Sequence, residues 1–271
     1  MAVRVETFDR IEDAARALAG HSAARFLGGG TLVMRAVNEG GQFFDTIIRT
    51  RDASLKDVRA EGDGITIGAG VSMAGVIANR DLAFLAPVAR SVGGPAIRNM
   101  ATVGGNLFAR SPYGDFATAL LALGAVVNMA EQSGRGIPID DFLRDRQRHR
   151  GALVRSVWVP RPRDPGAFRF AKVSRVKPKG ISVMSIAAYL PGSAGRIQGA
   201  RVAYGAMGPA PLRANAVERT LEGQSLDAAA IDRAASVAAE GIEPPTDALA
   251  SSWYRKEVVG VHLKRLLSER R

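Results

Sequence analysis

Two glycine-containing segments of the chain have residue types that can bind a phosphate group. The first, Gly28-Gly29-Gly30-Thr31, follows a predicted strand and precedes a predicted helix. Glycines at such a position allow a tight turn and leave backbone N–H groups open to a ligand. The third glycine of a G-x-G-x-x-G motif is missing because Val33 stands there, and no Gly-Lys-Ser/Thr follows. The segment therefore indicates either a pyrophosphate site or a plain tight turn.

The second segment is Ala101-Thr102-Val103-Gly104-Gly105-Asn106. Its threonine hydroxyl, glycine N–H groups and asparagine side chain can donate to a diphosphate, and Asp115 can accept from a ribose hydroxyl. Two such segments predict a long ligand. The alternative is an asparagine-capped turn followed by an N-capping aspartate, since Asp115 stands where the next helix is predicted to begin.

The absence of cysteine from the chain limits the cofactors that it can hold. It excludes disulfides, cysteine-ligated iron-sulfur clusters, thiolate zinc sites and a cysteine nucleophile. No HExxH or GxSxG motif is present, so a metal hydrolase or a serine hydrolase has no support. The N-terminus has no apolar core of the signal-peptide type, and no run reaches the roughly 20 apolar residues of a membrane span. We therefore expect a cytoplasmic protein without a membrane span.

The positive charge of the chain, +11 in total, is concentrated in residues 144–179. This basic segment contains twelve Arg or Lys and two Asp, a local balance of +10. It can dock an acidic protein, hold an anionic cofactor or form a solvated face. Nucleic acid is disfavoured because the segment lacks a helix-turn-helix pattern, a zinc-finger spacing and interleaved aromatic residues.

Short elements of both types are predicted around the two glycine segments. Helical spacing of apolar residues predicts a helix over 9–19, with Asp9 as its N-cap. A strand over 24–27, a helix over 31–38 and a strand over 45–49 follow. After a strand that begins at Gly64, helices are predicted over 71–79 and 81–93, the second with Pro87 near its start. A further helix is predicted over 116–123.

The pattern changes after the three prolines of residues 160–165, which mark a connection between units. Strands are predicted over 167–173, 181–190 and 197–204. Helices are then predicted over 212–222, 226–239 and 252–267. Strands followed by helices indicate an α+β unit.

The glycine segments in their wider context resemble a known family. FLGGGTLV at 26–33 and IRNMATVGGNLFARSPYGDFATALLALGA at 97–125 resemble the two FAD-binding segments of the medium subunit of carbon monoxide dehydrogenase and its relatives among the molybdenum hydroxylases. The equivalent domain of xanthine dehydrogenase is similar. FAKVSRVKPKGISVMSIAAYL at 170–190 and RVAYGAMGPAPLRANAVERTLEG at 201–223 resemble the C-terminal domain of that family. The four segments span nearly the whole chain.

The resemblance implies an α+β fold in three parts. A two-subdomain FAD-binding fold of the PCMH/vanillyl-alcohol-oxidase type would occupy residues 1–57 and 58–163, with FAD between the subdomains. An α+β C-terminal domain of the CO dehydrogenase flavoprotein type would occupy 164–271.

The resemblance also implies a set of FAD-contacting residues. Those of the two glycine segments are Leu27, Gly28, Gly29, Gly30, Thr31, Leu32, Ala101, Thr102, Gly104, Gly105 and Asn106. Asp115 would hold the ribose of the adenosine half. Lys172 would lie near the flavin ring, where a cation favours a negatively charged ring, or would be an exposed lysine on a basic strand. The chain departs from the family pattern at Val176 and Gly180, where a basic and an acidic residue are usual.

The function implied is that of an electron-relay subunit. A large molybdenum-cofactor (molybdopterin) subunit would oxidise the substrate, a small subunit with [2Fe-2S] clusters would relay electrons, and FAD would pass them to an external acceptor. We expect non-covalent FAD because His21, His149 and His262 lie outside the glycine segments. A free-standing flavin oxidoreductase, a basic nucleic-acid-binding protein and an NAD-binding Rossmann dehydrogenase are the alternatives.

Overall fold

The strands of this computed structural model form three main sheets that follow one another along the chain. The structure describes residues 3–40, 43–131, 134, 136–149, 151–177 and 180–269. Two cations of the basic segment, Arg150 and Lys179, lie outside the described residues.

The first sheet is parallel, with strand order β1-β3-β2. Its strands are β1 (Arg4–Phe8), β2 (Ala24–Phe26) and β3 (Thr46–Thr50). Helix α1 (Ile11–Ala19) connects β1 to β2 and buries its apolar face, and helix α2 (Val33–Asn38) follows the first glycine segment. This is the predicted order of strand, glycine turn, helix and strand.

Helix α1 begins differently from the prediction. Arg10 occupies the N-cap position and makes no side-chain capping bond, so the predicted cap by Asp9 is wrong. The carboxylate of Asp52 takes that role from the loop after β3, because it accepts from the N–H groups of Ile11 and Ser54, each at 3.0 Å. Local sequence patterns could not show this partner, which lies 41 residues from Ile11.

Asp52→Asn is expected to lower the free energy of unfolding by about 1 kcal/mol at neutral pH, the usual value of a helix cap. Burial raises the pKa of Asp52, but hydrogen bonds from Ser54 and Ile11 outweigh burial and hold that pKa below its usual value. Such a carboxyl stabilises the fold above its unfolded pKa of about 3.9 and loses this contribution as the pH falls through the folded pKa.

Urea unfolding measures the effect, and the difference in unfolding free energy between Asp52→Asn and the unmodified chain should shrink below about pH 4. Asp9→Asn is the matched control and should change nothing. If Asp9→Asn lowered the free energy of unfolding as much as Asp52→Asn, the assignment of Asp52 as the cap of α1 would be contradicted.

The second sheet has strand order β4-β5-β8-β6-β7 and is antiparallel. Its strands are β4 (Val58–Glu61), β5 (Gly64–Gly68), β6 (Val126–Met129), β7 (Ile137–Pro138) and β8 (Val154–Pro160). Helix α8 (Ile139–Arg144) follows β7.

Short helices between β5 and β6 carry the second glycine segment. They are α3 (Met73–Ala78), α4 (Ala86–Ser91), α5 (Pro95–Met100), α6 (Val103–Leu107) and α7 (Asp115–Leu123). The helix predicted over 81–93 is divided into a 3-10 helix, Arg80–Leu85, and α4. Pro87 lies in the first turn of α4, where its missing N–H has no intrahelical acceptor to lose.

The third sheet is antiparallel, with strand order β14-β13-β10-β9. Its strands are β9 (Phe168–Ser174), β10 (Ser182–Tyr189), β13 (Arg201–Gly205) and β14 (Leu212–Arg213), and a separate ribbon pairs β11 (Gly192–Ser193) with β12 (Arg196–Ile197). Helices α9 (Asn215–Leu221), α10 (Ala228–Ser236) and α11 (Ser252–Ser268) follow, which agrees with the predicted α+β class.

Two predicted elements of this last unit are shorter than expected. The strand predicted over 197–204 is interrupted after β12, where Gly199 has φ +77°. The helix predicted over 212–222 begins as β14 and becomes helical only at Asn215.

A β-bulge in β10 decides which side chains face helix α7. The pairing of β10 with β9 shifts register between Ser182 and Met184. Val183 and Met184 both pack into the core on the side of α9 to α11. Because the bulge breaks the strict alternation of the strand, Ser182 lies on the α7 side.

Helix α11 is fixed to this sheet by Arg255, a fully buried arginine with 0% exposure. Its guanidinium donates to the carbonyls of Val183 (2.9 Å), Ala250 (2.8 Å) and Pro245. It also forms a two-pronged bond to the carboxylate of Asp247, with both distances 3.0 Å. A buried charge with this many partners is well compensated.

Candidate functional site

The two glycine segments, distant in sequence, are in direct contact in the fold. A Cβ placed on Gly29 would lie 2.5 Å from the carbonyl carbon of Met100 and overlap its oxygen. A Cβ placed on Gly28 would lie 3.2 Å from Oγ1 of Thr102. The first segment therefore needs glycine because it runs directly against the backbone of the second.

The first segment presents a run of unused backbone donors. Leu27 donates its N–H to the carbonyl of Ile48 at 2.8 Å, and the next donors of this loop to find a protein acceptor are in α2. In the described part of the chain, the five N–H groups of residues 28–32 donate to no protein acceptor. Consecutive free N–H groups in a glycine loop form an anion-binding concavity.

The second segment uses its backbone N–H groups internally. Gly104 donates to the carbonyl of Ala69 at 2.9 Å, and Asn106 donates to that of Thr102 at 3.0 Å. The N–H of Gly105 donates to Oγ1 of Thr102 at 3.1 Å, which caps helix α6. The sequence-based expectation that these N–H groups are open to a ligand is therefore wrong, because the carbonyls of Ala69 and Thr102 and the hydroxyl oxygen of Thr102 accept from them.

Glycine at 104 has a packing reason instead. A Cβ there would lie 2.8 Å from Cβ of Ala69 and 3.1 Å from its carbonyl oxygen. The side-chain donors that remain for a ligand on this side include the hydroxyl proton of Thr102 and the second amide hydrogen of Asn106. Both residues are largely buried, at 8% and 7% exposure.

Asp115 and Lys172, predicted to contact different parts of the cofactor, are joined directly. Nζ of Lys172 lies 2.9 Å from Oδ2 of Asp115 and donates to the carbonyl of Ser91 at 2.9 Å. The hydroxyl of Ser182 donates to the other oxygen of Asp115 at 2.7 Å. The lysine is thus not an exposed cation on a basic strand, since its side chain is only 13% exposed.

Asp115 is the first residue of α7 and does not cap it, because Gly114 occupies the N-cap position. The alternative interpretation of Asp115 as a helix cap is therefore wrong. Sequence analysis missed Ser182 as a partner of Asp115 and the carbonyl of Ser91 as a partner of Lys172, since only the fold brings these groups together.

A second contact that sequence analysis missed links α2 to the loop before α7. Arg35 donates to the hydroxyl of Tyr113, and its guanidinium lies 5.5 Å from the centre of the tyrosine ring. This cation–π contact fixes the helix after the first glycine segment to the second unit.

The basic segment is not one continuous patch. Arg155 pairs with Glu12, Arg161 pairs with Asp81, and Arg146 donates to the carbonyls of Ala109 and Pro209. These cations connect elements of the fold. Other cations of the segment are exposed and have no ion pair among the described residues, namely Arg148, Arg163, Arg175 and Lys177.

The three histidines lie outside both glycine segments, as the sequence shows. The ring of His149 stacks on Phe142 with a centroid distance of 4.9 Å. Burial, with Arg265 and Lys177 nearby, lowers the pKa of His262. No helix within the described ranges is long and apolar enough to cross a membrane.

Comparison with protein families matches both parts of the chain. The FAD binding domain in molybdopterin dehydrogenase matches residues 2–162. The CO dehydrogenase flavoprotein C-terminal domain matches residues 169–270.

Similar full-length proteins support this match. The glyceraldehyde dehydrogenase medium chain of Sulfolobus acidocaldarius is 28% identical, over 98% of this chain and 96% of that protein. The carbon monoxide dehydrogenase medium chain of Afipia carboxidovorans is 27% identical, over 81% of this chain and 79% of that protein. In fold, the chain is similar to carbon monoxide dehydrogenase from Hydrogenophaga pseudoflava, with a TM-score of 0.90 at 24% identity, covering 98% of this chain and 96% of the other.

Proposed function

We propose that this chain, which belongs to the family of FAD-binding subunits of molybdopterin dehydrogenases, relays electrons from a partner's iron-sulfur clusters to an external acceptor. Membership in the family makes the chain an oxidoreductase component with a FAD-binding domain. In such complexes molybdopterin and iron-sulfur clusters belong to other subunits, and a chain without cysteine needs a partner to supply such clusters.

The observation that carries the proposal is the run of free N–H groups in residues 28–32. They suit the FAD pyrophosphate, because several fixed donors can share one diphosphate without moving. We propose that Gly28, Gly29, Gly30 and Thr31 bind this group, and that Leu27 and Leu32 line the adjoining surface. FAD itself, when bound, supplies the ability to accept and donate electrons.

The second segment has a different role in this proposal. Thr102 and Asn106 contribute side-chain donors, while Ala101, Gly104 and Gly105 allow the close backbone contacts that bring those side chains to the first segment. The cofactor would therefore lie between the predicted subdomains 1–57 and 58–163, with residues 164–271 as the third domain.

We propose that Lys172 lies near the flavin ring. The carboxylate of Asp115 and the carbonyl of Ser91 fix the position of its ammonium group. We propose that this fixed cation stabilises negative charge on the adjacent ring. The role of Asp115 toward the ribose stays a prediction, because both of its oxygens are bonded to Ser182 and Lys172 in the structure.

The absorbance spectrum of the purified chain, repeated on the supernatant after acid precipitation, tests the cofactor. A two-band flavin spectrum with FAD released into the supernatant supports non-covalent FAD. A yellow pellet would favour the covalent-flavin oxidase alternative, and a colourless chain that fails to take up added FAD would overturn the proposal.

Metal analysis of the tagged chain purified from its native host tests the partners. Molybdenum and iron should co-purify with the chain, although the described residues contain no group of three or more His, Cys, Asp or Glu that could hold a metal ion. Flavin alone, without either metal, would favour a free-standing flavin oxidoreductase.

Arg148→Glu is expected to reduce the molybdenum and iron recovered at low salt by about threefold, and less at about 0.5 M salt, if the basic segment docks an acidic partner surface. Arg148 is chosen because Arg146 holds the fold and Arg150 lies outside the described residues. Arg196→Glu, on the β11–β12 ribbon, is the control. Equal recovery of molybdenum and iron with the two variants would show that Arg148 does not take part in docking.

A further inference from the structure

A cavity of about 260 Å3 opens in the C-terminal unit, at the end of β9 and the start of α11. Val173, Val183 and Leu249 give it apolar walls, and the exposed side chains of Arg175 and Tyr254 line it as well. None of its lining residues belongs to the glycine segments or to the proposed FAD-contacting residues.

The cavity has polar donors that the protein does not use. The guanidinium of Arg175 makes one long hydrogen bond, 3.4 Å to the carbonyl of Ala248, and has no carboxylate partner among the described residues. The hydroxyl of Tyr254 has no hydrogen-bond partner in the described structure. The neighbouring carboxylate of Asp247 is already bound by Arg255. An anion at Arg175 would therefore meet an uncompensated positive charge.

Two of the residues that line the cavity are held in place by a buried side chain. The buried guanidinium of Arg255 donates to the carbonyls of Val183 and Ala250, which both line the cavity. A site whose walls are already ordered loses less entropy on binding.

Three apolar side chains that lie close in sequence to the lining residues are exposed. Trp253 is 69% exposed, Val176 65% and Ile181 38%. Val176 is also a position where the family resemblance predicts a basic residue. All three lie within two residues of the lining residues Arg175, Val183 and Tyr254 in the sequence.

We propose that this cavity binds a small planar aromatic molecule with one anionic group. The aromatic body would lie against the ring of Tyr254 and the apolar walls, and the anion would accept from Arg175. One or two fused rings match the volume, and a single negative charge matches the one charged side chain that lines the cavity in the described part of the chain. The inference goes beyond the electron-relay function and does not depend on it.

Equilibrium dialysis of the full-length, FAD-loaded chain against 2-naphthoate tests this. We expect saturable binding of one molecule per chain, and binding about tenfold weaker for Arg175→Gln and for the neutral isostere 2-naphthamide, because a charge-assisted hydrogen bond is lost in each case. Arg196→Gln is the matched control, since Arg196 is also an exposed arginine with one carbonyl bond, 3.0 Å to Gly223. It should bind like the unmodified chain.

Fluorescence locates the ligand. The chain has two tryptophans, so Trp158→Phe leaves as the reporter Trp253, which precedes the lining residue Tyr254 in the sequence. Saturable quenching of Trp253 by 2-naphthoate, with the midpoint found by dialysis, supports the proposal. Absence of saturable binding up to about 1 mM, equal binding by Arg175→Gln, or displacement by added FAD would each overturn it.

Discussion

A Gly29→Ala chain is expected to purify with less than about a tenth of the flavin of the unmodified chain, and to lose about 1–3 kcal/mol of stability. The added methyl group would overlap the carbonyl of Met100. That carbonyl cannot rotate away like a side chain, because it belongs to the backbone that joins α5 to α6. The two glycine segments must separate, and the free N–H groups of residues 28–32 would then lose their arrangement.

A graded series of alanine variants separates this clash from a general effect of removing glycine. Gly28→Ala should have a smaller effect, since its Cβ would meet only the side-chain oxygen of Thr102 at 3.2 Å and the ring of Phe26. Gly151→Ala has no atom within 4 Å of the new methyl group and is the control. Flavin content after gel filtration and thermal unfolding are the measurements. Normal flavin content in Gly29→Ala would refute the proposed contact between cofactor and loop.

Arg255→Met is expected to cost about 3–5 kcal/mol of unfolding free energy, the usual effect of breaking a buried ion pair. The substitution keeps much of the side-chain volume but leaves the carbonyls of Val183, Ala250 and Pro245 without their donor. It also leaves Asp247 without its cation. Urea unfolding at fixed FAD concentration measures the loss, because bound FAD would otherwise change the apparent stability.

Lys256→Met is a matched control on the next residue of the same helix. Lys256 pairs with Glu243 at 2.8 Å, but the carboxylate side chain is 86% exposed. An exposed pair of this kind contributes at most about 1 kcal/mol. Equal losses of unfolding free energy in the two variants would show that the burial of Arg255 does not increase its contribution to stability.

The pH dependence adds a second check on Arg255. Burial raises the pKa of Asp247, but the N–H groups of Leu249 and Ala250 and the guanidinium of Arg255 outweigh burial and hold that pKa below its usual value. The contribution of this carboxylate is therefore complete above its unfolded pKa of about 3.9 and is lost as the pH falls through the folded value. The difference between Arg255→Met and the unmodified chain should narrow in acid.

Local sequence patterns predicted the features that depend on neighbouring residues. The glycine run at 28–30 follows from the turn chemistry between a strand and a helix. The resemblance at 26–33 and 97–125 identified the family because both segments are continuous in sequence. These features need no knowledge of which distant elements meet.

Features that depend on distant partners could not be predicted. Asp52 replaces Asp9 at the start of α1 because the loop after β3 ends beside that helix. The N–H of Gly104 is occupied by the carbonyl of Ala69, which no periodicity reveals. Ser182 reaches Asp115 only because a bulge changes the side of β10 on which it lies.

Asp115 forms an ion pair with Lys172 and a hydrogen bond with Ser182, and these two contacts limit which segments can be exchanged between relatives. Asp115 lies in the segment that matches the FAD-binding family, whereas Lys172 and Ser182 lie in the segment that matches the C-terminal family. Recombination near residue 165 could bring in a C-terminal half without these two side chains. The buried carboxylate of Asp115 would then have neither partner, which is unfavourable. A chimera of this chain with a relative is therefore expected to be stable only when it keeps Asp115 together with Lys172 and Ser182.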